Sequence, residues 1–116
     1  MQHTRLVETK AASWTITAAD SGKTYIINGG ASVVATLPST ANGLHYRFII
    51  RAVAASGVGF SISPAAADSI NAGTDDKDLI NSAATDAVGD SVEIWGDGDI
   101  GWFASINAGT WAAEAP

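Results

Sequence analysis

The stretch Leu44-His45-Tyr46-Arg47-Phe48-Ile49-Ile50-Arg51 alternates Leu, Tyr, Phe and Ile with His, Arg, Ile and Arg. Successive side chains of an extended chain point to opposite faces, so Leu44, Tyr46, Phe48 and Ile50 make one wholly apolar face. A helix would scatter the same residues around its circumference. Residues 44–53 therefore read as a central strand. Working outward, Trp14-Thr15-Ile16-Thr17 repeats the two-residue period, and 24–28, 32–37, 58–63, 91–95 and 102–106 are further short runs of β-branched and aromatic residues. Asn28-Gly29-Gly30, Asn42-Gly43 and Asp97-Gly98 supply turns, because Asn, Asp and Gly tolerate positive φ. Pro38 closes the run before it, having no N–H for a ladder. Residues 58–63 are expected to pair back on 44–53 as a hairpin through 54–57. The stretch 64–88 is the least regular, with Ile70, Leu79 and Ile80 as its large apolar anchors, and short strands are expected at 69–72 and 78–81. An edge strand is expected at 110–112.

Alanine is the commonest residue, but no segment places apolar positions three and four apart over a helix's length. The pattern predicts an all-β fold: a compact antiparallel sandwich, jelly-roll-like or a small barrel, of about eight or nine short strands. Residues 1–11 precede the first periodic segment and read as an N-terminal arm, 12–113 as a single β domain, and 114–116 as a tail.

Twelve acidic against six basic side chains give a net charge of -6, and only 16 % of the residues are charged. Clustered lysine and arginine, which a nucleic-acid reader needs to neutralise phosphate, are missing, so no nucleic-acid partner is expected. The charge is uneven along the chain. Residues 1–60 carry five basic and two acidic side chains, a net +3, whereas residues 61–116 carry one and ten, a net -9. In a two-layer β fold the halves interleave, so this reads first as a charge-mixed surface; the alternative is a basic and an acidic pole, which would suit lateral or head-to-tail assembly. No apolar run approaches the roughly 20 residues that span a bilayer, and residues 1–10 lack the apolar core of a secretory signal, so neither a membrane partner nor a signal peptide is expected.

Catalytic chemistry finds little to work with. The absence of cysteine removes thiolate nucleophiles and disulfides. His3 and His45 lack a second ligand at a metal-binding offset, and there is no G-x-S-x-G, P-loop or dinucleotide fingerprint. Asp75-Asp76-Lys77-Asp78 reads as a solvated loop and Asp97-Gly98-Asp99 as a turn, since neither continues as a calcium loop. No catalytic residue, metal or cofactor is expected, and the protein is read as a non-enzyme. Of the four tryptophans, Trp14 and Trp102 share faces with Ile16 and Ile106 and belong to the core. Trp95 lies on the face of Glu93, opposite Val92 and Ile94. Trp95 and Trp111 are the candidates for subunit or capsid contact, with plain packing and a sugar-stacking platform as the alternative uses of such rings.

Two stretches carry a resemblance. Thr17-Ala18-Ala19-Asp20-Ser21-Gly22-Lys23-Thr24-Tyr25-Ile26-Ile27-Asn28, followed by Leu37-Pro38 and Gly43-Leu44-His45-Tyr46-Arg47-Phe48, resembles a pattern of small β-structured virion proteins of tailed bacteriophages. Gly89-Asp90-Ser91-Val92-Glu93-Ile94-Trp95, with Asp97-Gly98, Gly101-Trp102 and Gly109-Thr110-Trp111, is similar to its C-terminal part. The pattern occurs in capsid decoration (cement) proteins and in head-fibre and tail-fibre modules. A single β module with a short arm is most like the decoration proteins. The resemblance implies a homotrimer on the outer capsid surface, synthesised in the host cytoplasm, that binds the major capsid protein and stabilises the head. The arm residues Arg5, Leu6 and Val7 are then the candidate contact to a capsid or neighbouring subunit. A tail-fibre or carbohydrate-binding adhesion module is the alternative.

Overall fold

The computed structural model describes residues 6–29, 32–54 and 59–115. Among them are eleven strands: β1 Val7–Lys10, β2 Trp14–Thr15, β3 Thr24–Ile27, β4 Val33–Thr36, β5 His45–Ile50, β6 Gly59–Ser63, β7 Ser69–Ile70, β8 Leu79–Ser82, β9 Ser91–Gly96, β10 Gly101–Ala108 and β11 Ala112–Ala113. A 3-10 turn, Ala18–Asp20, is capped by Asp20, whose carboxylate accepts the Thr17 N–H and hydroxyl, both at 3.0 Å. The strands form two facing sheets, ordered β1-β3-β5-β9-β10-β7 and β11-β8-β6-β4-β2. The all-β, sandwich-like expectation holds, with eleven strands among the described residues where eight or nine are expected, since two-residue pairings such as β7 and β11 count as strands.

The pairing within the sheets differs from the expectation. From β1 to β6 the chain passes from one sheet to the other at every step, so β1, β3 and β5 are parallel neighbours in one sheet and β2, β4 and β6 in the other. This half is a flattened parallel coil of three rungs, in which each crossover between parallel strands is itself a strand of the opposite sheet. The sheets are therefore mixed rather than antiparallel. Antiparallel pairing enters with the second half, where β9 joins β5, β8 joins β6, β10 folds back on β9 and β11 closes on β8. The hairpin expected between 44–53 and 58–63 does not form. β6 lies in the other sheet, between β4 and β8.

The alternation of β5 places Tyr46, Phe48 and Ile50 inside, where all three are buried. Tyr25 and Ile27 of β3, Val92 and Ile94 of β9, and Trp102 of β10 extend this inner face, and Val33, Ala35, Phe60, Ile62 and Leu79 meet it from the second sheet. Burying this apolar surface is the main drive to fold. Trp14 seals the β1/β2 edge, with ring centroids 5.0 Å from Tyr25 and 6.4 Å from Phe60.

The N-terminal arm also requires correction. Val7–Lys10 is not detached but is the edge strand of the six-stranded sheet, paired with β3 along its length. Glu8 ties it to the start of β3 through Lys23 at 3.1 Å, and pairs within the strand with Lys10 at 2.9 Å. At the other terminus Glu114 is bound rather than loose: its N–H donates to the Asp78 carbonyl at 2.8 Å, and its carboxylate accepts the Asp78 N–H at 3.0 Å.

Candidate functional site

The outer face of the six-stranded sheet follows from the same alternation that builds the core. If Tyr46, Ile94 and Trp102 point inward, then His45, Trp95 and Phe103 point outward, and the register sets them side by side across three strands: His45 opposite Trp95, and Trp95 opposite Phe103. The next row is Arg47, Glu93 and Ser105. Trp95 and Phe103 are 40 % and 43 % exposed, large values for residues in mid-sheet. The His45 ring lies over the Trp95 indole at a centroid distance of 4.9 Å and an interplanar angle of 19°, while His45 Nε2 meets Glu93 Oε1 at 3.1 Å. His45 thus braces the indole from one face while Glu93 holds its ring. The result is a flat aromatic platform with a hydrogen-bonding border on a rigid sheet, which can dock a surface or stack on a planar ligand.

A second feature opens at the β7/β10 edge. β7 is two residues long, so the sheets part beyond it and leave a cleft of about 440 Å³. Its walls are Ile70, Leu79, Ile106 and Trp111, and Asp78 and Glu114 stand at its rim. Burial pushes the Asp78 carboxyl above its ordinary value, against a hydrogen bond from Ser63. Asn71, Ala72 and Asp76, bordering the cleft, hold positive φ of 56°, 57° and 63°.

The residues singled out from the sequence separate on the structure. Trp95 lies on the platform. Trp111 does not: it is 7 % exposed, packs edge-on against Phe60 at 6.1 Å and donates from Nε1 to the Ala108 carbonyl at 3.1 Å. Trp111 is thus a core residue whose ring forms a cleft wall, and the expectation of a surface contact from it is corrected. Leu6 and Val7 are 43 % and 48 % exposed at the β1 edge, three pairings away from Trp95. Arg5 lies outside the described residues. Phe103 was not anticipated, although its parity against Trp102 signals an outward ring. Ile106, placed with the core by parity, lies beyond β7 and is 47 % exposed.

The acidic clusters do not assemble into a site. Asp97 accepts the backbone N–H groups of Asp99 at 2.8 Å and Gly101 at 3.0 Å, and these bonds hold its carboxyl below its ordinary value. This is the turn geometry the sequence suggested. Among the described residues no three His, Asp or Glu side chains converge as a metal site, and no helix is long and apolar enough to cross a membrane. Comparison with known proteins finds no family model, no curated relative and no solved structure that matches significantly.

Proposed function

We propose that the protein is a structural virion protein, a capsid decoration or cement protein that trimerises and binds the outer surface of a phage head. The observation that carries this reading is the Trp95–Phe103 platform: exposed aromatic surface held flat on a sheet and braced by His45 and Glu93. Contact residues of this type concentrate binding energy in few side chains. Repetition over a trimer turns weak contacts into tight attachment through effective concentration. Binding to the expanded shell alone would stabilise it by mass action.

The test is co-sedimentation of the protein with expanded phage heads assembled from the major capsid protein of the same genome. Wild type should pellet with heads and raise their melting temperature. Trp95→Ala with Phe103→Ala should stay in the supernatant while remaining folded. A protein that ignores expanded heads refutes the reading. The same platform supports one other reading, an adhesion module that stacks a sugar on Trp95 with Glu93 and Arg47 as polar partners. Saturable quenching of tryptophan fluorescence by a glycan array, lost in Trp95→Ala, would favour it.

A further inference from the structure

We infer that the protein surface seated on the outer face of the six-stranded sheet is acidic: it brings an aspartate or glutamate carboxylate to the guanidinium of Arg47, beside an apolar side chain that lies on Trp95 and Phe103. The inference deepens the docking reading of that face and rests on it for the class of partner.

Register sets Arg47 of β5 directly opposite Glu93 of β9, a cross-strand position at which opposite charges ordinarily pair. They do not pair here. The Glu93 carboxylate turns to its other neighbour and meets His45 Nε2 at 3.1 Å, and among the described residues no carboxylate forms an ion pair with Arg47. Arg47 Nε is buried and has no hydrogen-bond partner. The stem of the side chain is therefore packed down on the sheet face, which costs free energy for the unsatisfied donor and holds the head in place. What is missing is an anion. The planar guanidinium matches the two oxygens of a carboxylate, and its terminal amino groups are free to take one.

The charges around it point to the same partner. At the outward positions of β1, β3, β5, β9 and β10, Arg47 and Glu93 carry the formal charges, and Thr24, Ile26, Ile49 and Ser105 are their uncharged neighbours. Arg51, exposed past the end of β5, is a second arginine without an ion pair among the described residues, so this part of the surface is net +1 on a chain of net -6. Lys10 and Lys23, by contrast, are held by Glu8 and Asp20. Nucleic acid would set a row of phosphates against an acidic chain with two free arginines here, too few to neutralise it. A single sugar ring would cover Trp95 and stop there: Ile49 pairs with Ser91, four residues along β9 from Trp95 and roughly 13 Å away at the rise of a strand. A protein surface reaches across that distance, and a carboxylate among apolar side chains complements the arginine beside the rings.

Two probes test this, one of which needs no heads. In co-sedimentation with expanded heads, Arg47→Gln, shown to be folded by circular dichroism, should bind roughly 30-fold more weakly than wild type and depend less on salt, and Arg47→Lys should fall between them. Heads whose carboxyl groups are first converted to amides with carbodiimide and glycinamide should bind wild type as weakly as Arg47→Gln, and amidation should cost Arg47→Gln nothing further. The second probe is the capped dipeptide acetyl-phenylalanyl-glutamyl-amide at millimolar concentration. It should shift the nuclear magnetic resonance signals of the Trp95 indole and the Arg47 guanidinium in wild type; its glutaminyl analogue should not, and neither should shift Trp95 in Arg47→Gln. A dipeptide response with no binding to heads upholds the acidic partner and refutes the decoration reading. Heads that bind wild type and Arg47→Gln equally, before and after amidation, overturn the inference and leave decoration standing. A site that answers to a uronic acid and to neither probe overturns it in favour of a sugar.

Discussion

Trp111 and Trp95 look alike in the sequence and differ in the fold, so truncating each should have opposite consequences. Trp111→Ala removes a nearly buried indole, its edge-on contact with Phe60 and its hydrogen bond to the Ala108 carbonyl. Buried tryptophan-to-alanine changes cost about 3–5 kcal/mol. Because one side of the ring borders the cleft, water can fill part of the space left, which argues for about 3 kcal/mol. For a chain of this size each kcal/mol shifts Tm by roughly 4 °C, so a fall of about 12 °C is expected. Trp95→Ala removes a ring already in contact with water on one face. The loss of its stack on His45, worth about 1 kcal/mol, should move Tm by roughly 4 °C. Head binding or sugar quenching should fall by roughly 30-fold or more, the scale of one hot-spot side chain of about 2 kcal/mol. Urea titrations followed by far-ultraviolet circular dichroism avoid the lost fluorophore. Equal stability losses, or a Trp95 variant that leaves both stability and every docking assay untouched, would refute the division between core and platform.

Asn81 is fully buried and its Nδ2 donates to Asp90 Oδ2 at 3.1 Å and to the Thr110 carbonyl at 3.3 Å; Asn81→Ala leaves the Asp90 carboxylate short of a donor and should lower stability by about 2–3 kcal/mol in a urea titration. Stability should also decline in acid. Hydrogen bonds from Lys10 and Lys23 hold the Glu8 carboxyl below its ordinary 4.5, and the Thr17 backbone N–H holds Asp20 below 3.8, so both contribute stability above those values and lose it as pH falls through the lower folded-state values. Added salt should shrink the Glu8 part, visible as a smaller Tm difference between pH 7 and pH 3. Asp78 has the opposite sign: burial raises its carboxyl, so its charged form opposes folding at neutral pH. Asp78→Asn should raise Tm at pH 7, and the gain should fade as acid neutralises Asp78 in the wild type; a constant difference across pH would contradict the assignment.

The position of nearly every strand was legible because alternation survives wherever one face is buried, as in Tyr46, Phe48 and Ile50. What alternation omits is the neighbour. It tells which side chains point inward, not whether the chain leaves a strand toward the next one in the same sheet or across to the facing sheet. Asn42-Gly43 marks a reversal in either case, and Gly43 at φ 88° would serve a hairpin as well as it serves the corner leading into β5. The mixed topology was hidden for that reason. β1 was hidden for another. Val7-Glu8-Thr9-Lys10 has one large apolar residue, since an edge strand with ion pairs on one side and solvent on the other owes its place to backbone pairing with β3. The platform was half legible: parity exposed Trp95, and the same parity applied to Trp102 would have exposed Phe103. Trp111 falls in the three-residue run 110–112, too short for alternation to assign its face. The cleft arises from the shortness of β7, a property of how two elements end and not of any residue pattern.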